Sequence, residues 1–203
     1  MKMTKVILLM ISIFIPSFAF AYCGPTNTVS IPFGWYVDGN IGFSKITNTT
    51  YGSHTSVSNS GTGYNIDVGY KFMPYFAAEI GYTRHSDADI KNAAGKKVGE
   101  AKNFSYDIAA KGILPVINTG FEFFAKLGAA QAYADVSANN SLAAMLSTID
   151  RGKHTATSFF IGVGADYSIT PNVPINIQWQ RANGDGTTGR LDLYSVGIGY
   201  ILA

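Results

Sequence analysis

The chain has 203 residues, 47% of them hydrophobic and only 14% charged, with a formal net charge of +2. Such sparse charge beside so much apolar content excludes intrinsic disorder. The 22 glycines, 13 phenylalanines and 12 tyrosines argue against a helical bundle, which is built mainly from Ala, Glu, Lys and Leu. A charge of +2 is also far too small for a nucleic-acid binder working through a basic surface, so no nucleic-acid partner is expected.

Residues 1–21 read MKMTKVILLMISIFIPSFAFA. Lys2 and Lys5 form a basic start, Val6 to Ile15 an apolar run too short to span a bilayer, and Ala19-Phe20-Ala21 a small-residue cleavage site. The pattern predicts a cleaved signal peptide over 1–21 and export by the Sec route. Without Lys2 and Lys5 the acids and bases of the chain balance, so its slight basicity is an export label. A short N-terminal segment, 22–33, follows. Cys23 is the single cysteine, which excludes an intramolecular disulfide. The bulky Tyr22 before it speaks against a lipid anchor.

Beyond residue 33 one pattern repeats. Period-two alternation of apolar and polar residues runs near 35–45, 63–72, 76–84, 103–114, 121–133, 156–167, 174–181 and 191–202, which predicts eight strands with two chemically different faces. The breaks alternate as well. Met73-Pro74-Tyr75, 115–120 and 168–173 are short and carry turn residues, whereas 46–62, 85–101, 134–155 and 182–190 are longer and polar. Within the third long loop, Asn139–Ile149 has the composition of a short helix. Short turns at one end and long loops at the other describe an up-and-down meander.

One strand face, for example Trp35, Val37, Ile41 and Phe43 or Tyr194, Val196, Ile198 and Tyr200, carries no charge. The opposite face holds Asp38, Asp67, Lys71, Glu79, Asp107, Lys111, Glu122, Lys126 and Asp166, together with Gly42, Gly69, Gly81, Gly128, Gly162, Gly164, Gly197 and Gly199. Glycine on the polar face suits a crowded lumen better than a solvated exterior. Aromatic residues near strand ends on the apolar face suit a bilayer interface. Strands of about ten residues match a tilted crossing, and an open edge in lipid would leave unpaired amides. The expected fold is all-β: an eight-stranded antiparallel up-and-down transmembrane β-barrel over 34–203, with short periplasmic turns and long extracellular loops.

Three segments carry a resemblance. Val68–Arg84 (VGYKFMPYFAAEIGYTR) resembles the second hairpin of the outer membrane protein A (OmpA/OmpX-type) barrel family, and Trp35-Tyr36-Val37 with Gly39 and Gly42 resembles its first strand. The end of the chain resembles the signal read by the outer-membrane assembly machinery, with Ser195, Gly197, Tyr200 and Leu202 at its positions. Ala203 departs from the common aromatic terminus. The resemblance implies a Gram-negative outer-membrane location and a barrel domain without the periplasmic peptidoglycan-binding domain of larger members. It also implies lipid, lipopolysaccharide and the assembly machinery as partners, no cofactor, and a monomer.

The inward face carries Asp38, Asp67, Lys71, Glu79, Asp107, Lys111, Glu122, Lys126 and Asp166. Side chains fill a barrel of eight strands, so these nine should pair into a plug rather than line an ion path. Counting back from the short turns sets Lys71 diagonal to Glu79, Lys111 diagonal to Glu122, and Lys126 near Asp107. At the loop ends Lys45, Arg84, Lys102, Lys153, Arg181 and Arg190 fall on lipid-facing parity, where cations could meet lipopolysaccharide phosphates. The three histidines, His54, His85 and His154, lie in different long loops, and no catalytic or metal-binding motif appears. No enzyme is expected. The reading is a structural or surface-interaction barrel whose loops meet an extracellular ligand, as adhesin or antigen. A narrow channel or carrier resembling the OmpW group is the alternative, and a lipid A-modifying enzyme the third.

Overall fold

The computed structural model of the protein describes residues 32–47, 55–58, 60–92, 97–138, 152–186 and 188–202. The signal peptide, Cys23, His54 and the helix expected over Asn139–Ile149 lie outside the described residues. Eight long strands form the wall: β1 (Gly34–Thr47), β3 (Ser60–Met73), β4 (Phe76–Arg84), β6 (Lys97–Pro115), β7 (Phe121–Ala138), β8 (Gly152–Thr170), β9 (Val173–Asn183) and β10 (Arg190–Leu202). Each is antiparallel to the next, and β10 returns to β1 along an unbroken ladder from Trp35 opposite Leu202 to Thr47 opposite Arg190. The sheet closes into a barrel.

Two expected loops hold further strands. β2 (Thr55–Ser58) pairs with β5 (Ala88–Asn92), which in turn pairs with the start of β6. Strands β6, β7 and β8 also run 19, 18 and 19 residues, against 9 for β4. The expected strand ends at 103, 133 and 156 therefore fall short, because the sheet continues past the barrel on one side. Parity alone carries no signal for where a bilayer stops.

The short turns are as tight as their residues predict. Pro74 and Tyr75 connect β3 to β4. Between β6 and β7, Asn118 and Gly120 take left-handed backbone (φ 63 and 74), which asparagine and glycine tolerate. Asn172, between β8 and β9, donates from Nδ2 to the Ile201 carbonyl (2.8 Å) and accepts the Ile201 N–H (2.8 Å), tying that turn to the last strand.

The faces segregate as the alternation requires. Ile41, Ile80, Ile108, Leu127 and Val196 are exposed on the outside, while Asp67, Lys71, Glu79, Lys111 and Lys126 are buried inside. An apolar exterior over a polar interior is the membrane-barrel arrangement. The lumen is close-packed through its glycines: a Cβ on Gly128 would sit 2.0 Å from the Ile108 carbonyl oxygen, and one on Gly69 2.3 Å from the Tyr36 ring.

Candidate functional site: the filled lumen and the cationic rim

All nine charged residues assigned to the inner face are buried there. Their pairing differs from the one counted off the turns. Lys71 does lie diagonal to Glu79, whose register partner is Gly69, but its ammonium crosses the lumen to both oxygens of Glu122 (2.8 and 3.0 Å). Glu122 stands opposite Pro115, four residues from Lys111 along β6, so that diagonal does not form. Lys111 instead reaches Glu79 (3.3 Å) and Asp166 (3.4 Å). Lys126 stands opposite Lys111 and bridges Glu79 (2.7 Å) and Asp67 (2.8 Å), and makes no ion pair with Asp107. Counting along hairpins finds neighbours on adjacent strands. In a narrow barrel a lysine side chain spans the bore. Strands two or three apart therefore supply Glu122 to Lys71, Asp166 to Lys111, and Asp67 and Glu79 to Lys126, while Lys111 also keeps its diagonal neighbour Glu79 on β4.

Aromatic rings complete this layer. The Tyr36 hydroxyl donates to Glu79 Oε1 (2.6 Å), and the Lys111 ammonium lies 4.2 Å from the Phe124 ring centroid and 5.3 Å from that of Tyr36. Asp38 and Asp107 have no cation within 4 Å among the described residues. They lie against Gly199 and Gly81, where a Cβ would come within 2.0 and 2.7 Å of their oxygens. The space left among Tyr36, Asp38, Lys71, Lys111, Glu122 and Asp166 is about 30 Å³, room for a water molecule or two rather than a pore.

Toward the loops the lumen changes character. A neutral layer comes first. Asn65 Oδ1 accepts from Asn40 (2.9 Å) and Gln178 (3.3 Å), and Asn65 Nδ2 donates to Asp67 (2.8 Å) and Thr83 (3.2 Å). Above it the inward positions turn apolar: Ile46, Ile90, Ala134, Val136, Phe160 and Leu191 are all buried. Phe160 and Leu191 fall on the inward parity of their expected strands, whereas Ile46, Ile90, Ala134 and Val136 lie in stretches expected to be long loops. All six meet because the sheet continues past the barrel mouth, where β5 pairs along β6 and brings Ile90 into the cluster. Among them His85, just beyond the end of β4, shares a 2.9 Å hydrogen bond through Nδ1 with Ser44 Oγ. Burial pushes its imidazole down to about 3, against an upward pull from Asp192. Both side chains are buried, so the pair is closed to a substrate.

The six rim cations do face outward, but they are not equivalent. Arg84 pairs with Asp87 and donates to the Asn103 carbonyl. Lys102 and Lys153 flank Asp135 in register on β6, β7 and β8. Lys45, Arg181 and Arg190 surround Asp192, a residue the sequence reading passed over although it stands two residues after Arg190 on the same face. Arg181 Nε donates to Asp192 Oδ1 (2.7 Å), as does Trp179 Nε1 (3.0 Å), while Arg190 Nε lies 4.0 Å from Oδ2. On β10, Ser195 and Gly197 face the lumen and Tyr200 and Leu202 face outward.

A protein of Coxiella burnetii, itself uncharacterized, is 27% identical over 194 residues, covering 75% of this chain and 76% of its own. Among solved structures, Ail, the attachment invasion locus protein of Yersinia pestis, in complex with the heparin analogue sucrose octasulfate, superposes with a TM-score of 0.52 at 15% identity, over 83% of this chain and 99% of that one. The outer membrane protein OprG of Pseudomonas aeruginosa gives 0.59 at 12% identity, over 87% and 99%. These likenesses carry the fold. The outer membrane protein beta-barrel domain model matches residues 6–201, and with the closed, apolar-sided barrel this places the chain in that family of outer-membrane proteins.

Proposed function

We propose that the protein is a surface-interaction barrel of the outer membrane, neither catalytic nor conducting, which presents a recognition sheet above the outer leaflet. The protrusion carries this reading. Among the described residues, β8 pairs from Thr155 to Ser158 with β7 alone, because its ladder with β9 begins only at Phe160. A short row of main-chain N–H and C=O groups is therefore open at the sheet edge among the described residues, and an extended segment of another protein can add there as a strand. The filled lumen favours this role over a channel, since a charged layer capped by an apolar one offers ions no continuous wet path. The enclosure of Ser44 and His85 favours it over an enzyme. Attachment, the role for which Ail is named, is the one this geometry fits among the similar structures. In the same reading Ser195, Gly197, Tyr200 and Leu202 form the strand offered to the assembly machinery.

Adherence of barrel-displaying bacteria to host-cell layers, measured beside single-channel recording of the purified barrel, tests the reading. Adjacent strand residues address opposite edges, so of Thr155→Pro and Ala156→Pro one breaks the ladder to β7 and the other blocks only the open edge. The edge-blocking variant should keep its heat-modifiable gel migration and lose adherence, and the parent should show no conductance steps. Resolved steps in the parent, or adherence that survives both substitutions, would refute the proposal.

A further inference from the structure

On the outer face of β9, β10 and β1, residues stack in register toward the loops in four rows. They are Ile175, Ile198 and Gly39; Ile177, Val196 and Ile41; Trp179, Tyr194 and Phe43; then Arg181, Asp192 and Lys45. The top row is a built cationic site. Arg181 is fixed twice, by its Nε bond to Asp192 and by its guanidinium lying 4.9 Å over the Trp179 ring. This leaves the Nη edge of the fork for an acceptor. Arg190 is held by an Nε bond to Thr47 Oγ1 (3.2 Å), and Lys45 is exposed and makes no ion pair among the described residues. Three cations meet one carboxylate, an excess that neither Arg84 with Asp87 nor Lys102 and Lys153 beside Asp135 provides. Planar forks and an ammonium around an unmet positive charge suit a phosphate group.

The lower rows are built differently. A Cβ on Gly39 would meet nothing within 4 Å, and the gap it leaves lies in a shallow, open apolar groove lined by Ile41, Ile66, Ile175, Ile177, Val196 and Ile198. Lys45 stands six residue steps along the strand from Gly39, about 20 Å at ~3.3 Å per residue. With a strand tilt of roughly 40° this is about 15 Å along the membrane normal, half of the ~30 Å hydrocarbon core and so the depth of one leaflet.

We propose that this wall docks one phosphorylated glycolipid of the outer leaflet, of lipid A type. Arg181, Arg190 and Lys45 hold a phosphate, and one acyl chain lies in the groove at Gly39. Asp192 is the positioning residue. The inference rests on the outer-membrane reading and narrows the six rim cations to three.

The test uses the mature barrel refolded in phosphatidylcholine vesicles and titrated with purified lipid A. A Trp35→Phe background leaves Trp179 as the sole reporter, since the chain has 2 tryptophans. A saturable fluorescence change is expected. The triple variant Lys45→Gln, Arg181→Gln, Arg190→Gln should weaken it about tenfold or more, as should removal of the lipid phosphates. Gly39→Leu should weaken binding several-fold, and Lys102→Gln with Lys153→Gln should leave it unchanged. Inorganic phosphate alone should produce no saturable change. Undiminished binding by the triple variant, equal loss in the Lys102 and Lys153 control, or saturation by inorganic phosphate would overturn the site. A heat-modifiable shift shows that each variant is folded. A parent chain that fails to insert at all would overturn the membrane-barrel reading, whereas an inserted parent without saturable binding overturns only the docking site.

Discussion

Replacing Lys126 by Met is the sharpest probe of how the lumen is held together. Its ammonium lies 2.7 Å from Glu79 and 2.8 Å from Asp67, and its side chain is only 2% exposed. After the substitution Glu79 keeps Lys111 at 3.3 Å and the Tyr36 hydroxyl at 2.6 Å, so it remains compensated. Asp67 keeps only the neutral Asn65 donor at 2.8 Å. Its neighbour across Gly81 is another carboxylate, Asp107, whose Oδ2 has no hydrogen-bond partner. One buried charge is therefore orphaned beside a like charge, and breaking a buried pair in this way costs about 3–5 kcal/mol. Asp67→Asn in the same chain removes that orphan and should recover more than half of the loss, because excising both partners of a buried pair is far cheaper than excising one. Urea unfolding of the barrel in lipid vesicles, followed by heat-modifiable gel migration, reads all four corners of the cycle. A loss below about 1 kcal/mol for Lys126→Met, or no recovery in the double variant, would show that the lumen is not held by charge pairing.

Acidity acts through His85. Its imidazole sits near 3 when folded against an ordinary 6.5, so the unfolded chain binds a proton that the barrel does not. This contribution is intact above about pH 6.5 and is lost as the pH falls from there toward 3, by ~1.4 kcal/mol per pH unit. The difference between parent and His85→Gln unfolding curves isolates it from the carboxylates, and parallel curves between about pH 4 and 6 would exclude it. Glycine substitutions should separate by position. Gly128→Ala forces a Cβ within 2.0 Å of a backbone oxygen and should cost several kcal/mol or prevent refolding, as overpacking of a full interior does. Gly39→Ala meets nothing within 4 Å and should fall within about 0.5 kcal/mol of the parent by the same unfolding assay. Lys71→Met orphans Glu122, its partner at 2.8 Å, and should lower stability by about 3 kcal/mol without opening a conductance in planar bilayers, because the apolar layer above is untouched.

Much of the barrel is legible in the amino-acid order because a strand has a period of two. Alternation from Val37 to Phe43, or from Tyr194 to Leu202, fixes which side chains share a face, and glycines opposite an uncharged face fix which side is the crowded one. Parity also set Lys45, Arg181 and Arg190 outside and Lys71, Lys111 and Lys126 inside. Alternation says nothing about which strands face each other across the bore. Lys71 finds Glu122 on β7 and Lys126 finds Asp67 on β3 only once the sheet has closed and set the stagger of its strands. The same closure gathers Ile46, Ile90, Phe160 and Leu191 into one apolar cap from four distant segments. It also brings Lys45 on β1 beside Asp192, which the β9–β10 hairpin already sets against Arg181 and Trp179. The sequence by itself determined the eight wall strands, their two faces and the solvent each one meets, since these follow from local backbone geometry and the cost of burying charge. Only the tertiary structure decided the pairings across the bore, the apolar cap and the meeting of Lys45 with Asp192, because each depends on distances between residues far apart in the chain.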